Sequence, residues 1–203
     1  MMEQLILWTG LDEWRTEAAR VSLTEDGVRA TGTQVGLDPV PYHLEYELDA
    51  ADGFVTRSLR VRCEGDTWAR GLELTRDGGG VWRAVYDQEG RTEMPSPSAE
   101  VDQLDEALDC DLAFSPMTNL MPIRRHRLNE QPGSAEFTMA WVTVPELTVR
   151  ASRQRYEHVR TDDDGSVVRF VDLGLFAGFT ADLELGPDGL IRVYPELARR
   201  VDA

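Results

Sequence analysis

The chain of 203 residues carries 37 acidic and 21 basic side chains, a formal net charge of −16, and 41% of its residues are hydrophobic. A negative field of this size disfavours binding to nucleic acid and to anionic bilayers. The length, with no linker, repeat or low-complexity tract, predicts one domain over residues 1–203 with a substantial core.

The start of the sequence has no pattern typical of export or of membrane insertion. Only four apolar residues, 5–8, follow the first residues MMEQ, whereas a signal peptide needs a positive start and a longer apolar run. No stretch approaches the ~20 apolar residues that span a bilayer. We therefore expect a soluble, cytoplasmic protein. We also expect Cys63 and Cys110 to be small buried thiols, not a disulfide or a metal pair.

Up to residue 90 the sequence alternates between apolar and polar residues, which is the period of a β-strand. Turn signals such as Asp26-Gly27 and Asp52-Gly53 separate the alternating runs and predict hairpins. The predicted strands are residues 5–8, 19–24, 28–35, 42–49, 55–63, 68–74 and 81–86, with a helical turn predicted at residues 11–15. The polar residues 87–105 are predicted to form a long surface loop, a flap over an opening.

Residues 108–125 are the least ordinary part of the sequence. Alternating apolar residues predict a strand over 108–114, which leads into a bend because Pro116 and Pro122 disfavour helix at the residues before them. We predict an extended run from Ile123 that carries Arg124 and Arg125. Neighbours on a strand point to opposite faces, so one of these two arginines points inward and needs an anionic or hydrogen-bonding partner.

The last third of the chain predicts further short strands. They cover residues 137–144, 147–150, 154–160, 167–172, 179–185 and 190–193, and Pro195 opens a predicted last helix over residues 195–201. Residues 137–144 are apolar on both faces, which predicts burial on both faces. In sum, the sequence predicts a mainly β single domain. An antiparallel meander forms an incomplete, half-open barrel with a few short helices.

Patterns for catalysis and for metal binding are weak. The three histidines lie far apart in sequence without ligand spacing, and no nucleophile elbow or phosphate-binding loop is present, so we assign no catalytic residue, no metal and no cofactor. Asp109 and Asp111 lie two residues apart on a predicted strand and share one face. With Arg124 and Tyr156 they form the polar set of an alternative hypothesis, an enzyme that acts on a small apolar substrate.

Arginines in apolar register are the stronger lead for a binding site. Arg57 and Arg70 fall on the apolar side of their predicted strands, and with Arg124 they suggest a cavity with a cationic interior. A bulge could turn any of them outward, and they could instead be structural partners of Asp109, Asp111 or Glu73.

One set of motifs is specific because its order of residue types is improbable by composition. It consists of the segment SPMTNLMPIRR at 115–125, preceded by LDCDL at 108–112, and of YHLEY at 42–46, WVTVPELTV at 141–149 and DGLIRVYP at 188–195. These motifs resemble a bacterial family named for putative glycolipid binding. The resemblance extends from Trp8 to Pro195 and implies a curved antiparallel sheet, folded into an incomplete barrel like those of lipoprotein carriers. It supplies no catalytic residue.

The leading hypothesis is a non-catalytic protein that binds an amphiphile, a glycolipid by this resemblance, in the concavity of the sheet. The residues predicted to contact it are Arg57, Met117, Thr118, Asn119, Arg124, Trp141 and Tyr156. Acyl chains are predicted to lie among Leu72, Phe114, Met117, Met139 and Trp141. A third hypothesis is a filled interior without a ligand, in a protein that acts through a partner or as a homodimer through its edge strands.

Overall fold

The structure, a computed structural model, describes residues 2–201 and forms one 14-stranded sheet. The strands are β1 (Met2–Gly10), β2 (Arg15–Leu23), β3 (Val28–Gly36), β4 (Tyr42–Ala51), β5 (Val55–Glu64), β6 (Trp68–Arg76), β7 (Trp82–Gly90), β8 (Asp109–Leu112), β9 (Ser134–Val142), β10 (Val149–Asp162), β11 (Gly165–Asp172), β12 (Thr180–Leu185), β13 (Ile191–Tyr194) and β14 (Ala198–Arg200). Short 3₁₀ helices span Val101–Gln103 and Pro116–Asn119, and helix α1 spans Leu120–Arg125.

The sheet consists of two antiparallel meanders that meet at β1 and β14, and β8 is added in parallel to β9. Its strand order is β7-β6-β5-β4-β3-β2-β1-β14-β13-β12-β11-β10-β9-β8, with β7 and β8 at the two edges. The junction between β1 and β14 has only three paired positions, from Trp8↔Arg200 to Gly10↔Ala198. The prediction of a mainly β, curved antiparallel sheet that stays open is therefore confirmed.

Residues 91–128, which we call the crossing segment, run between the two edges of the sheet. At one edge, Trp82 and Arg76 donate from their side chains to the carbonyl of Ala107. At the other edge, Ala99 pairs with Val149, and β8 pairs in parallel with β9. The crossing segment thus ties the edges together, and its helices pack against the inner side of the curved sheet.

Two apolar cores lie on that inner side. The larger one takes most of its side chains from β1–β9 and from the crossing segment, including Trp8, Leu74 and Met117. The smaller one lies under β10–β13 around Tyr156 and Phe170. Cys63 and Cys110 are buried free thiols, as predicted.

Three local predictions are wrong. Ile123 does not begin a strand, because Pro122 stands in the first turn of α1, where the missing N–H has no helical partner to lose. Residues 195–201 are not a helix. After a turn, β14 supplies the hydrogen-bonding partner that the open edge of β1 requires. Residues 11–14 form a bend instead of a helical turn.

The predicted inward direction of Arg57 is also wrong. The pairing of β4 with β5 shifts between Asp49↔Ser58 and Ala50↔Thr56, so Arg57 is the extra residue of a bulge. Its side chain turns to the outer face and forms an ion pair with Asp52 at 2.7 Å.

Candidate functional site

A cavity of about 490 Å³ lies between the two apolar cores and opens at one end of the sheet. Its lining residues come from the 11–14 bend, β8 and the residues after it, β9–β11 and the loops that follow β9, β11 and β13. They are Asp12, Asp111, Leu112, Ala113, Phe114, Ser115, Asn119, Trp141, Thr143, Val144, Glu146, Ser152, Gln154, Phe170, Asp172, Phe176, Phe179, Tyr194, Pro195, Glu196 and Leu197. This volume is in the range of small-molecule sites, about 300–1,000 Å³.

Aromatic rings surround the opening of the cavity. Phe176 is 58% exposed and meets Trp141 edge to face, with ring centroids 5.6 Å apart. Phe179 is exposed too, and its ring lies 6.0 Å from that of Phe170, which packs in turn against Tyr156. The loop after β11 thus holds two large apolar side chains at the surface, next to an apolar wall that continues inward.

Polar side chains form the floor of the cavity, which is its buried end. Ser152 and Gln154 are buried, and they occupy alternate inward positions of β10. Gln154 donates to Oδ2 of Asp111 at 2.7 Å, and Thr118 donates to its Oδ1 at 3.0 Å. Burial raises the pKa of Asp111, and these two hydrogen bonds oppose the shift while the carboxylates of Asp109 and Asp172 add to it.

Asp172 is a second carboxylate on the floor, held in a different way. Its Oδ1 accepts the backbone N–H groups of Gly174 and Phe176, at 2.8 and 2.9 Å. These bonds fix the start of the loop that carries the exposed phenylalanine. They leave Oδ2 of Asp172 as an acceptor. The floor therefore combines a carboxylate bound by backbone N–H groups with another bound by an amide and a hydroxyl.

The Asn119 amide completes the floor. The hydroxyl of Tyr156 donates to Oδ1 of Asn119 at 3.0 Å and lies 3.1 Å from Oε1 of Gln154. Because the Asn119 carbonyl is occupied in this way, its amide N–H groups are the donors that this residue offers. Tyr156 is fully buried and acts through Asn119, since it does not line the cavity.

Asp109, predicted to share a face with Asp111, is a structural residue. It is fully buried and forms a two-pronged ion pair with Arg125, with Nη1–Oδ1 at 2.7 Å and Nη2–Oδ2 at 2.5 Å. Burial raises the pKa of Asp109, and the guanidinium opposes that shift. The sequence predicted that one of the two adjacent arginines would find an inward anionic partner. That arginine is Arg125, which also donates to the carbonyl of Phe54.

The arginines predicted for a cationic interior lie outside the cavity. Arg57 is on the outer face, and Arg124 is on α1, 3.8 Å from Glu130 and close to Gly189. Arg70 does point inward and is fully buried, but it donates to the carbonyls of Met94 and Glu146. Among the residues that line the cavity, none is Arg, Lys or His.

The other predicted contact residues divide between the cavity and the packed core. Trp141 and Asn119 line the cavity, as does Phe114 of the predicted acyl-chain set. Thr118 does not line the cavity, but its hydroxyl donates a hydrogen bond to Asp111, which does. Met117, Met139 and Leu72 are buried in the packed interior and do not line the cavity.

Another buried carboxyl, that of Glu17, lies on the other side of Ser115 from the cavity. Its Oε1 accepts the hydroxyls of Tyr46 at 2.5 Å and of Ser115 at 2.7 Å. Burial raises the pKa of Glu17 from its ordinary value of 4.5 to about 7. Within residues 2–201, no protein partner satisfies Glu17 Oε2, Gln34 Oε1 or the hydroxyl of Tyr42, which border a space of only about 10 Å³.

Sequence reasoning missed Ser152, Gln154, Asp172 and Phe176. A signal for the first two exists, since Ser152, Gln154 and Tyr156 alternate along one strand against the charged neighbours Arg153 and Arg155. Polar residues at inward positions of a long strand indicate either an internal hydrogen-bond network or a ligand site. Nothing in the local pattern around Phe176 indicates that its loop borders the same space.

Two further searches of the described part of the chain found nothing. No group of three or more His, Cys, Asp or Glu side chains among residues 2–201 is arranged to hold a metal ion. Within the same residues, no helix has the length and apolar character needed to cross a bilayer.

Comparison with known proteins gives one family and one solved structure. The family model described as "Putative glycolipid-binding" matches residues 5–200. The fold is similar to the crystal structure of a DUF1089 family protein from Pseudomonas aeruginosa, with a TM-score of 0.68 and 28% sequence identity over 91% of this chain and 92% of that one. No protein with a curated description matches the chain.

Proposed function

This chain belongs to the putative glycolipid-binding family, and we propose that it binds an amphiphile of the glycolipid class in the cavity between its two apolar cores. The observation that supports this proposal most strongly is the division of one cavity of about 490 Å³ into an aromatic opening and a polar floor. An amphiphile has the same division. Contact with Trp141 and Phe176 removes its apolar part from water, which is favourable. Its polar part can replace water as the hydrogen-bonding partner of the floor.

The contribution of the apolar part can be compared with the affinity such a protein needs. Burial of one CH₂ group is worth about 0.8 kcal/mol. Micromolar binding corresponds to about 8 kcal/mol, after the cost of association has been met. A short alkyl chain on the aromatic wall therefore needs help from hydrogen bonds at the floor, so we expect both ends of the ligand to matter.

Native mass spectrometry with octyl β-D-glucopyranoside, used below its micellar concentration, tests the proposal. We expect a saturable 1:1 adduct with the wild-type protein. Ser152→Phe fills the floor of the cavity and should abolish the adduct. The matched control is Ser58→Phe on the outer face, where the added ring meets solvent, and it should bind as wild type does.

The proposal fails if the folded wild-type protein takes up neither the octyl glucoside nor any component of a mixed bacterial lipid extract. It also fails if Ser152→Phe, shown by circular dichroism to be folded, binds as tightly as the wild type. The fully packed, ligand-free interior of our third hypothesis has no support in a molecule with this cavity.

Catalysis on the bound head group is a second candidate, favoured by one observation. Burial raises the pKa of Asp111 at the floor of the cavity, and a carboxyl with a raised pKa in a cleft is typical of acid–base sites. Turnover of p-nitrophenyl glycosides by the wild type, lost in Asp111→Asn while octyl glucoside still binds, would favour an enzyme. Absence of turnover with intact binding favours the non-catalytic proposal.

A further inference from the structure

The charge of the cavity points to the kind of head group that it accepts. Five of its lining residues carry a carboxyl group, namely Asp12, Asp111, Glu146, Asp172 and Glu196, and none carries a basic side chain. Asp12 forms an ion pair with Arg15 at 2.8 Å, and neither of these two residues belongs to the floor. An anionic head group that reached the floor would lose its water next to Asp172 and would gain no cation in exchange. Juxtaposed like charges of this kind act against the wrong ligand.

The hydrogen-bonding groups of the floor are mixed. Asn119 offers amide N–H groups because Tyr156 occupies its carbonyl, while Asp172 offers Oδ2 because backbone N–H groups occupy its Oδ1. Ser152 adds a hydroxyl, which both donates and accepts. A head group with several hydroxyls meets both kinds of partner. The carboxylates attract a quaternary ammonium group, but this group can neither donate a hydrogen bond to them nor accept one from the amide, so the floor would lose its water without new hydrogen bonds.

The depth of these groups determines the orientation of the ligand. Ser152, Asn119 and Asp172 are all at most 4% exposed, whereas Phe176 is 58% exposed. The polar end of an amphiphile therefore enters the cavity first and binds at the floor. Its apolar end then lies at the opening, against Trp141 and Phe176. This is the reverse of a carrier that buries acyl chains and leaves the head group in solvent.

We propose that the cavity selects an uncharged, hydroxyl-rich head group, which binds head first at the floor formed by Asn119, Ser152 and Asp172, with the alkyl chain at the aromatic opening. This inference rests on the proposed function and adds to it the charge of the head group and the direction in which the ligand enters. It also replaces the cationic interior that the arginine pattern of the sequence suggested.

Three probes that differ only in their head group test this selection. They are octyl β-D-glucopyranoside, octyl β-D-glucopyranosiduronic acid, which replaces one CH₂OH by a carboxylate, and octyltrimethylammonium. Affinities are measured by isothermal titration calorimetry at pH 8. We expect the neutral glucoside to bind at least tenfold more tightly than either charged probe.

Asp172→Asn identifies the source of the discrimination. The asparagine keeps an oxygen for the N–H groups of Gly174 and Phe176 but removes the charge, so the preference for glucoside over glucuronide should fall several-fold. Asp182→Asn is the matched control, since Asp182 pairs with Arg169 on the outer side of β12, and this variant should leave the preference unchanged.

The outcomes separate this inference from the proposed function. Equal or tighter binding of the glucuronide overturns the inference while the amphiphile proposal stands. Tighter binding of the ammonium probe has the same consequence. A preference for the glucoside that Asp172→Asn leaves intact overturns the role assigned to the floor. If no octyl probe binds the folded protein, the proposed function fails and the inference fails with it.

Discussion

Two regions of the interior contain a carboxyl group without a basic partner, and they differ mainly in the space around it. Glu17 borders a space of about 10 Å³ among β1–β4, whereas Asp111 borders a cavity of about 490 Å³ under β9–β11. Burial raises the pKa in both cases, and both carboxyls accept hydrogen bonds from neutral groups. Ser115 contacts both regions, as its hydroxyl donates to Glu17 and its side chain borders the cavity.

The difference shows that burial and hydrogen bonding of a carboxyl do not by themselves indicate a ligand site. Around Glu17 the tyrosine and serine hydroxyls fill the space and converge on one oxygen. Asp111 accepts one hydrogen bond at each carboxylate oxygen, from Thr118 and from Gln154, and Asp111 also borders the cavity. We therefore expect changes around Glu17 to alter stability and changes around Asp111 to alter binding.

Removal of Arg125, the partner of the buried Asp109 carboxylate, should have the largest effect. This ion pair holds the crossing segment, which lies between the two regions. Arg125→Met leaves the charge of Asp109 buried and unpaired, which typically costs about 3–5 kcal/mol. We expect a loss of this size in the free energy of unfolding, measured by urea denaturation. Arg57→Met, at an exposed ion pair, should leave the unfolding midpoint unchanged.

Truncation of a large apolar side chain should reduce the free energy of unfolding more in the packed core than at the opening of the cavity. Leu74 is fully buried in the larger core, so Leu74→Ala should cost about 2–5 kcal/mol of unfolding free energy. Phe176 is largely exposed at the opening of the cavity, and Phe176→Ala should cost less than about 1 kcal/mol. The same variant should weaken binding of octyl glucoside several-fold. The comparison is contradicted if Phe176→Ala destabilises the protein as much as Leu74→Ala does.

The pH dependence of stability should depend on Glu17. Its folded pKa of about 7 lies above the ordinary value of 4.5, so between these values the unfolded state is ionised while the folded state keeps its proton. Stability due to this group therefore falls as the pH rises through this window, by about 3 kcal/mol in total.

Glu17→Gln removes that ionisation and keeps an oxygen for Tyr46 and Ser115. Urea unfolding at pH 5, 6, 7 and 8 should show that the variant loses less stability than the wild type across this range. It should also show that the variant is the more stable protein at pH 8. If the free energy of unfolding depends on pH in the same way for the two proteins, Glu17 is ionised in the folded state.

Much of the sheet could be predicted from the sequence because the alternation that specifies it is local. Each of the predicted hairpins before residue 90 is present, with Asp26-Gly27 and Asp52-Gly53 at the turns. The errors occur where a distant partner decides the structure. Residues 198–200 form a strand because β1 is beside them, and the bulge that turns Arg57 outward is a property of the pairing between β4 and β5.

The site was less predictable than the fold for the same reason. The sequence indicated Asn119 and Trp141 through the resemblance, and it suggested Asp111 by its position next to Asp109 on β8. It could not assign Asp109 to Arg125 and Asp111 to the cavity, because that division depends on where α1 packs. Eight of the lining residues, from Phe170 to Leu197, are brought there by strands and loops far along the chain.

The junction of β1 with β14 has a consequence for synthesis on the ribosome. The indole N–H of Trp8 on β1 donates to the carbonyl of Ile191, which is 183 residues later in the chain. Synthesis adds about 5–20 residues per second, so Ile191 is synthesised roughly 10–40 s after β1. During this time the edge of β1 can pair with another nascent chain, as open strand edges do. The arrival of β14 therefore ends the period in which the growing protein is most exposed to aggregation.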